Sequence, residues 1–249
     1  MKSFAVLYDI HGNLPALEAV LEDIRSVKID EIIVGGDVLP GPMPRETLEC
    51  LFALDIPARF IMGNGDRIVL AQMDGVESEE IPLSFRENIR WNASQLGADY
   101  KAWMATWPAT LRIEIDSVGT VLFCHATPRN DTELFSRRTE ESRLLPVFDG
   151  AGASLVVCGH THMQFDRMVG STRVINAGSV GMPFGEPGAY WLEIGEAIRL
   201  RHTMYDLNEA ADRVRATTYP RADDFAARNV LRPPSEEEIL NAYANAELK

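Results

Sequence analysis

The stretch SFAVLYDIHGNLPALEAVLEDIRSVKIDEIIVGGD, residues 3–37, decides the fold of this chain. A short apolar run ends at Asp9, an amphipathic segment follows, and a second run rich in β-branched residues ends at Asp37. The middle segment repeats apolar residues at helical spacing, so that one face carries Leu14, Leu17, Leu21 and Ile24. The order strand, helix, strand predicts two parallel strands joined by a helix.

The same alternation continues along the chain. We expect a second helix over 44–54, opening on Pro44, and a third strand over 58–64. A helix is predicted at 140–148, and further strands, with hairpin-like spacing among the last four, at 120–126, 154–160, 173–181, 189–195 and 197–206. The pattern predicts an α/β fold whose first strands form a parallel sheet.

Length and charge exclude several classes of protein. With 249 residues, 46% of them hydrophobic, the chain is long enough for one large α/β domain with an appendage. The formal charge of -13 opposes nonspecific attraction to nucleic acid or an anionic membrane, so we expect neither as a partner. The N-terminal apolar run is too short for a signal peptide and no stretch approaches the ~20 apolar residues of a membrane span, which predicts a soluble, cytoplasmic protein. The three cysteines lack disulfide spacing and suit reduced thiols in the core.

Two regions interrupt or follow the strand pattern. Residues 67–108 are predicted to be helical, either as a cap beside a site or as a packed insertion without a ligand role. The tryptophans of this insertion are Trp91, Trp103 and Trp107. The chain is polar and helical over 206–249, and its last helix is expected to begin at Ser235. We interpret 1–205 as the main domain and 206–249 as an extension for packing or for contact in a homo-oligomer.

Side chains able to bind metal ions follow the predicted strands at their C-terminal ends. These residues are Asp9, His11, Asp37, Asn64, Asp66, His125, His160 and His162. The loops at this edge of an open α/β sheet converge, so we expect these side chains to lie together. The histidine pair at 160 and 162 would prove little alone, because a histidine beside an apolar run is often structural. Of the five histidines only His202 lies outside the set, which favours a metal site.

This ordered set resembles the signature of the calcineurin-like metallophosphoesterase superfamily, which runs D-x-H, G-D, G-N-x-[DE], a single His and G-H-x-H. The later stretch NAGSVGMPFG, residues 176–185, is similar to the N-P-G-S-V-G stretch of small bacterial and archaeal members, with Ala177 in place of the proline. The resemblance implies a four-layer αββα sandwich, in which two mixed sheets pack face to face between flanking helices.

The resemblance also implies a site for two divalent metal ions. The implied ligands of one ion are Asp9, His11, His162 and Asp37, and those of the other are Asp37, Asn64, His125 and His160. Asp37 would bridge the ions, because a carboxylate has two oxygens. In an extended segment residues i and i+2 point alike, so His160 and His162 are expected to share a face and to bind one ion each. Manganese is the favoured metal, and iron, zinc and nickel also suit these ligands.

The same resemblance predicts hydrolysis of a small phosphate compound, with nucleotides among the candidates. Two divalent ions would supply the positive centre that the acidic chain lacks, and hydroxide shared by both would attack the phosphorus of a phosphodiester or phosphoanhydride. Asp37 and Asn64 would act through the ions, and Asp66 would accept the free N–H of a ligand imidazole. Arg67 and Arg129 either bind phosphate oxygens or form surface ion pairs.

One position departs from the superfamily pattern. Many members carry a histidine after the asparagine of the third motif, where it is thought to protonate the leaving group, and this chain has Gly65. The missing acid favours phosphodiesters, anhydrides or activated esters over alkyl monoesters, and the missing side chain is expected to leave room for a bulkier substrate. A glycine at this position also raises the question of a positive φ.

Three alternatives stay open. The chain could be a catalytically weak metal-binding scaffold of the same fold, or a simple phosphomonoesterase. A structural zinc site could instead form from Cys124, Cys158 and the neighbouring histidines, since structural zinc sites are often rich in sulfur. The filled ligand positions favour the enzyme, because degenerate scaffolds lose ligands.

Overall fold

Ten strands in the described part of the chain form two five-stranded sheets. The computed structural model describes residues 2–79, 81–244 and 246–248. The strands are β1 (Phe4–Leu7), β2 (Glu31–Val34), β3 (Ala58–Phe60), β4 (Thr110–Ile115), β5 (Gly119–Cys124), β6 (Leu155–Cys158), β7 (Phe165–Val169), β8 (Thr172–Asn176), β9 (Ala189–Ile194) and β10 (Ile198–Thr203). The helices are α1 (Leu14–Ser26), α2 (Pro44–Phe52), α3 (Asn64–Met73), α4 (Leu83–Ser94), α5 (Ala98–Met104), α6 (Glu141–Phe148), α7 (Leu207–Arg215), α8 (Ala222–Phe225) and α9 (Glu236–Tyr243), with a π-helical turn at Ala226–Leu231.

The first sheet has the strand order β10, β9, β1, β2, β3. Strands β1, β2 and β3 are parallel, with Val6 opposite Ile33 and Ile33 opposite Arg59, which confirms the parallel unit predicted from the sequence. Strand β9 pairs antiparallel with both β1 and β10. The C-terminal ends of β1 and β2 therefore lie side by side, and the loops carrying Asp9 and Asp37 leave the sheet together.

The second sheet has the order β4, β5, β6, β8, β7, with three parallel central strands and antiparallel edges. The predicted hairpin spacing holds for β9 and β10 but is wrong for the strands before them, because β6 and β8 are parallel and β8 and β9 lie in different sheets. The sequence analysis does not identify β4 and β7. Exposed charged residues such as Arg112, Glu114 and Asp166 interrupt the apolar runs of these edge strands.

The two sheets pack face to face. Their inner faces share one buried cluster that includes Phe4, Val6, Phe123, Val157 and Leu192. Helices α1, α2 and α3 cover the outer face of the first sheet, and α6 covers the outer face of the second. This layering confirms the four-layer αββα sandwich.

The insertion and the tail contact each other. Trp91 on α4 packs edge to face against Tyr219 of the tail, with ring centroids 5.3 Å apart. Trp103 and Trp107 instead pack around Phe60 in the core. The helical stretch begins with α3 at Asn64, before the predicted boundary at 67.

Helix α9 of the tail begins where the sequence predicts. The Ser235 hydroxyl accepts the Glu238 N–H at 3.3 Å, and the Glu238 carboxylate accepts the Ser235 N–H at 2.9 Å. This reciprocal cap satisfies backbone donors at the start of the helix. None of the helices in the described ranges combines the length and the apolar character that a membrane crossing requires.

Candidate active site

Two groups of metal-capable side chains meet beyond the C-terminal ends of β1, β2, β5 and β6. One group is Asp9, His11 and His162, and the other is Asp37, His125 and His160. Within each group the nitrogen and oxygen atoms that could bind an ion lie within 4.8 Å of one another. The structure thus brings six of the sequence-predicted side chains together, three from each of the two ligand sets that the resemblance implies.

The backbone turns left-handed at most of these residues. In the described ranges, five of the six non-glycine residues with positive φ belong to the two groups: Asp9 (54°), His11 (48°), Asp37 (51°), His160 (64°) and His162 (58°). Such conformations are uncommon outside glycine and cluster at functional sites. The extended geometry expected for 160–162 is therefore wrong, because both histidines follow β6 in a turn. They still fall in different groups.

Each of the four imidazoles has one ring nitrogen facing a backbone carbonyl. The Nδ1 atoms of three rings lie 3.2, 3.0 and 2.7 Å from carbonyl oxygens, in the pairs His11 with Pro40, His125 with Gly35, and His162 with Met182. His160 is reversed, with Nε2 3.2 Å from the Thr132 carbonyl oxygen. A carbonyl accepts only from N–H, so in the neutral form of each ring these contacts leave the lone pair on the opposite nitrogen.

Asp66 does not accept from a ligand imidazole, and that interpretation is wrong. Its carboxylate accepts the Leu39 N–H at 2.9 Å and the Gly63 N–H at 3.1 Å. These bonds tie the loop after β2 to the start of α3. Burial and the nearby Asp37 raise the pKa of Asp66 to about 8. Asp66 therefore stabilises the loops that carry the site and does not orient the imidazoles.

Asp37 faces both groups with different oxygens. Its Oδ2 lies 3.7 Å from His11 Nε2, and its Oδ1 lies 3.5 Å from His125 Nε2. Oδ1 also accepts the Gly65 N–H at 2.7 Å, at the N-terminal end of α3, where a helix favours an anion. Burial opposes the charge, but His125 and His11 outweigh it and hold the pKa of Asp37 well below its usual range.

Three buried polar atoms at the site have no hydrogen-bond partner among the residues that the structure describes: Asp9 Oδ1, Asn64 Oδ1 and His125 Nε2. Buried polar atoms are nearly always hydrogen-bonded, so this cluster of orphans needs an explanation. Divalent cations would satisfy these atoms, because carboxylate and amide oxygens and a deprotonated imidazole nitrogen are ligands of the type such ions take. The donor set therefore fits the predicted metals.

Without metal, the imidazoles of the second group differ widely in pKa. Burial disfavours the charged imidazole of His125, but Asp37 and Asp9 outweigh burial and raise its pKa to about 10. Burial and His125 lower the pKa of His160 to about 4. Because an imidazole binds metal only when the coordinating nitrogen is free of a proton, an ion entering the second group has to displace the proton of His125.

A sequence profile of the calcineurin-like phosphoesterase superfamily domain matches residues 1–196. The chain belongs to this superfamily. This match confirms the predicted superfamily. The chain is 30% identical over 166 residues to the uncharacterized protein MJ0912 of Methanocaldococcus jannaschii. That alignment covers 65% of this chain and 63% of the archaeal protein, which is less than two thirds of its length.

Two solved structures share the fold of this superfamily member. The hypothetical protein PH1004 of Pyrococcus horikoshii OT3 has a TM-score of 0.81 and 20% identity, covering 94% of this chain and 100% of that one. The metallophosphoesterase of Sphaerobacter thermophilus has a TM-score of 0.71 and 24% identity, covering 91% and 98%. At these identities the likeness shows the fold alone.

The two candidate phosphate-binding arginines of this phosphoesterase-family chain engage carboxylates. Arg67 donates to both oxygens of Asp131, at 2.7 and 3.1 Å. Arg129 pairs with Glu133 through Nε at 3.2 Å and through a second, shorter contact. Both ion pairs lie on loops or helix starts beside the site, as in the surface-pair interpretation. A role in phosphate binding stays a prediction.

The cysteines pack in the core as small apolar residues. Cys124 and Cys158 are buried under α6 on the outer face of the second sheet, and neither belongs to a metal-binding group of the described residues. Burial raises the pKa of the Cys124 thiol, which opposes the thiolate that zinc would need. The alternative of a sulfur-rich zinc site therefore has no support.

Gly65 is buried and leaves no empty space. A Cβ atom added there would lie 2.3 Å from the Leu39 carbonyl oxygen and 2.9 Å from a ring carbon of Pro40. The residue sits in the first turn of α3 without a positive φ, so the constraint is close backbone approach. The expected room for a bulkier substrate at this position is wrong, and histidine cannot be introduced without moving the loop.

We expect Gly65→Ala to lower the melting temperature by about 3–10 °C, because forcing a methyl group against a packed backbone costs about 1–3 kcal/mol. Thermal unfolding followed by circular dichroism measures the effect. Gly195→Ala is the matched control, since its Cβ would meet only the Ser3 Cβ at 3.6 Å, an ordinary contact. Equal melting temperatures for both variants would show that the loop yields freely.

A cavity of about 430 Å³ opens beside the first metal group. His11, Pro40 and Met182 line it, and its other lining residues lie between 81 and 89 and between 219 and 234. The tail, predicted from its sequence to serve packing or oligomer contact, thus also lines a cavity beside the site. No local motif marks these residues, because they meet only through the tertiary fold.

Proposed function

We propose that this chain is a dinuclear metal-dependent phosphoesterase that hydrolyses phosphodiester or phosphoanhydride bonds of small phosphate compounds. The observation that carries the proposal is Asp37, whose two oxygens face different groups of metal-capable side chains. The three buried atoms without hydrogen-bond partners support the same conclusion, since two bound metal ions would satisfy them. Manganese is the proposed metal, because the donors combine imidazole nitrogen with carboxylate and amide oxygen.

The residues of the site would hold the ions in a defined arrangement. Asp9, His11 and His162 would bind one, Asn64, His125 and His160 the other, and Asp37 both. When bound, the ions would supply positive charge to the phosphoryl oxygens and a nucleophilic hydroxide at neutral pH. The backbone carbonyls opposite each ring keep the imidazoles oriented. The start of α3 adds further positive potential at Asp37.

The chain's own residues supply no acid at the third motif. Gly65 cannot carry a side chain, so no group from that position protonates the departing oxygen. His202, on β10, does not replace it. Its ring stacks on that of Tyr190, with the ring centroids 4.2 Å apart, and its Nε2 lies 3.1 Å from the Pro187 carbonyl oxygen. Hydrolysis should therefore favour substrates whose leaving groups need no proton.

We expect kcat/KM to fall steeply as the pKa of the leaving group rises. Without acid assistance the departing oxygen carries its full negative charge in the transition state, so each step to a poorer leaving group raises the barrier. A graded series of substituted aryl phosphodiesters, assayed with the manganese-loaded protein, measures the slope. A flat dependence, with chemistry shown to be rate-limiting, would mean that another group supplies the proton.

A further inference from the structure

We propose that the cavity beside His11 binds a planar aromatic group carried by the phosphate of the substrate. This inference rests on the proposed function and adds the class of substrate. The insertion and the tail would then form a specificity pocket, while the residues at the strand ends perform the chemistry.

The cavity is joined to the metal groups by shared residues. His11 belongs to the first group and also lines the cavity. Pro40 and Met182 line it as well, and their carbonyl oxygens face the Nδ1 atoms of His11 and His162 at 3.2 and 2.7 Å. A phosphate held at the first group would therefore lie next to the cavity, and its organic substituent would extend into it.

The walls are apolar and carry rings from two separate parts of the chain. Phe85 and Ile89 come from α4, and Tyr219 and Phe225 come from the tail. Phe85 is 45% exposed although it is a large apolar residue, which leaves its ring available for contact. A dry cavity of about 150 Å³ holds benzene, so the observed 430 Å³ accommodates an aromatic ring with a further substituent.

Polar residues in the same cavity could bind the polar edge of an aromatic ring and the negative charge of a phosphate. Asn88 and Asn229 place amides among the apolar walls, which a plain hydrocarbon would not require. Arg221 forms an ion pair with Asp224, and Arg228 adds a second guanidinium to the lining, in a chain of formal charge -13. Arg221 lies over the Phe85 ring at 4.6 Å, joining tail and insertion. The lining thus carries one arginine in excess of its carboxylates, which suits an anionic substrate.

The tail residues of the cavity lie outside the stretch that matches the superfamily domain, which ends at 196. The domain supplies the metal groups, and the tail supplies Tyr219, Phe225 and the arginines. Differences in substrate preference between this chain and other members would therefore arise from a segment that the superfamily signature does not describe.

Direct binding tests the proposal. Phenylphosphonate and methylphosphonate share an anionic head group and a carbon–phosphorus bond that ester hydrolysis does not cut. Isothermal titration calorimetry with the manganese-loaded protein should show phenylphosphonate binding about 10- to 100-fold more tightly, the effect of burying one aromatic side group. An adenosine 5′-phosphonate separates the two sources of such a ring: tighter binding than phenylphosphonate indicates a nucleobase, and weaker binding indicates a simple aryl group.

Two variants on the same helix locate the effect. Phe85→Ala should reduce the preference for phenylphosphonate by about 3- to 10-fold and leave methylphosphonate binding unchanged. Leu83→Ala is the control, because Leu83 is 79% exposed on α4 and does not line the cavity. Leu83→Ala should keep the melting temperature of the parent chain, and Phe85→Ala, which loses the contact with Arg221, should lower it by only a few degrees.

The outcomes separate this inference from the proposed function. Hydrolysis of bis(4-nitrophenyl) phosphate with equal binding of the two phosphonates would overturn the aromatic pocket and leave the proposed function standing. Preferential, Phe85-dependent binding of phenylphosphonate without hydrolysis of any phosphodiester or phosphoanhydride would support the pocket and overturn the proposed function. Preferential binding that Phe85→Ala does not change would place the aromatic group elsewhere and also overturn the pocket.

Discussion

Asp37→Asn is expected to lower kcat/KM for bis(4-nitrophenyl) phosphate by about a thousandfold or more. The two oxygens of Asp37 face different metal groups, and the amide would keep the shape of the side chain while removing its charge. Loss of the bridge removes several kcal/mol of transition-state stabilisation, and about 1.4 kcal/mol corresponds to a factor of ten in rate. We also expect fewer than two ions per chain, measured by plasma mass spectrometry after dialysis.

Asp74→Asn is the matched control for this experiment. Asp74 forms a surface ion pair with Lys101, so its replacement should change neither metal content nor rate. The Asp37 variant should remain folded, because an asparagine oxygen can still accept the Gly65 N–H that Asp37 accepts now. Near-normal turnover in a metal-replete Asp37 variant would contradict the two-metal proposal.

Chelation is expected to abolish hydrolysis, and manganese is expected to restore it. Four imidazoles and two buried aspartates form the groups, so magnesium, which prefers an all-oxygen shell, should restore activity poorly. Binding of manganese at about 100 times its Kd would stabilise the fold by about 2.7 kcal/mol, a rise of about 5–10 °C in melting temperature for a chain of this size.

The melting temperature provides a readout that does not depend on turnover. Undiminished activity after exhaustive chelation, with metal loss confirmed, would contradict metal-dependent hydrolysis. A manganese-dependent rise in melting temperature without hydrolysis of any phosphate compound would instead favour the metal-binding scaffold of the same fold. Restored activity together with the thermal shift is the result that the proposed function requires.

The order of secondary structure could be predicted wherever the apolar pattern is regular. The unit from β1 to β3 is the clearest case, because buried parallel strands are continuous apolar runs and α1 has a single apolar face. Edge strands β4 and β7 escaped prediction, since one side of each faces solvent and carries charge. The pairing of the strands after β3 could not be predicted either, because two strands adjacent in the sequence can pair within one sheet or lie in different sheets.

The ligand residues could also be predicted, because chemistry restricts which side chains bind divalent ions. In the sequence these residues follow successive predicted strands, and the structure brings six of them into two groups. The backbone at Asp9, Asp37 and His160 could not be predicted, because positive φ there is imposed by surrounding contacts rather than by the residue type.

The sequence by itself therefore determined the alternation of strands and helices, the superfamily and the identity of the metal-capable side chains, because each depends on residue type and local spacing. Only the tertiary structure decided how the site is supported and what lies beside it. Carbonyl groups rather than Asp66 orient the imidazoles, Gly65 is closed by the Leu39 backbone, and residues from α4 and the tail enclose one cavity. These features join residues far apart in the chain, and their contacts arise from packing, which no local pattern records.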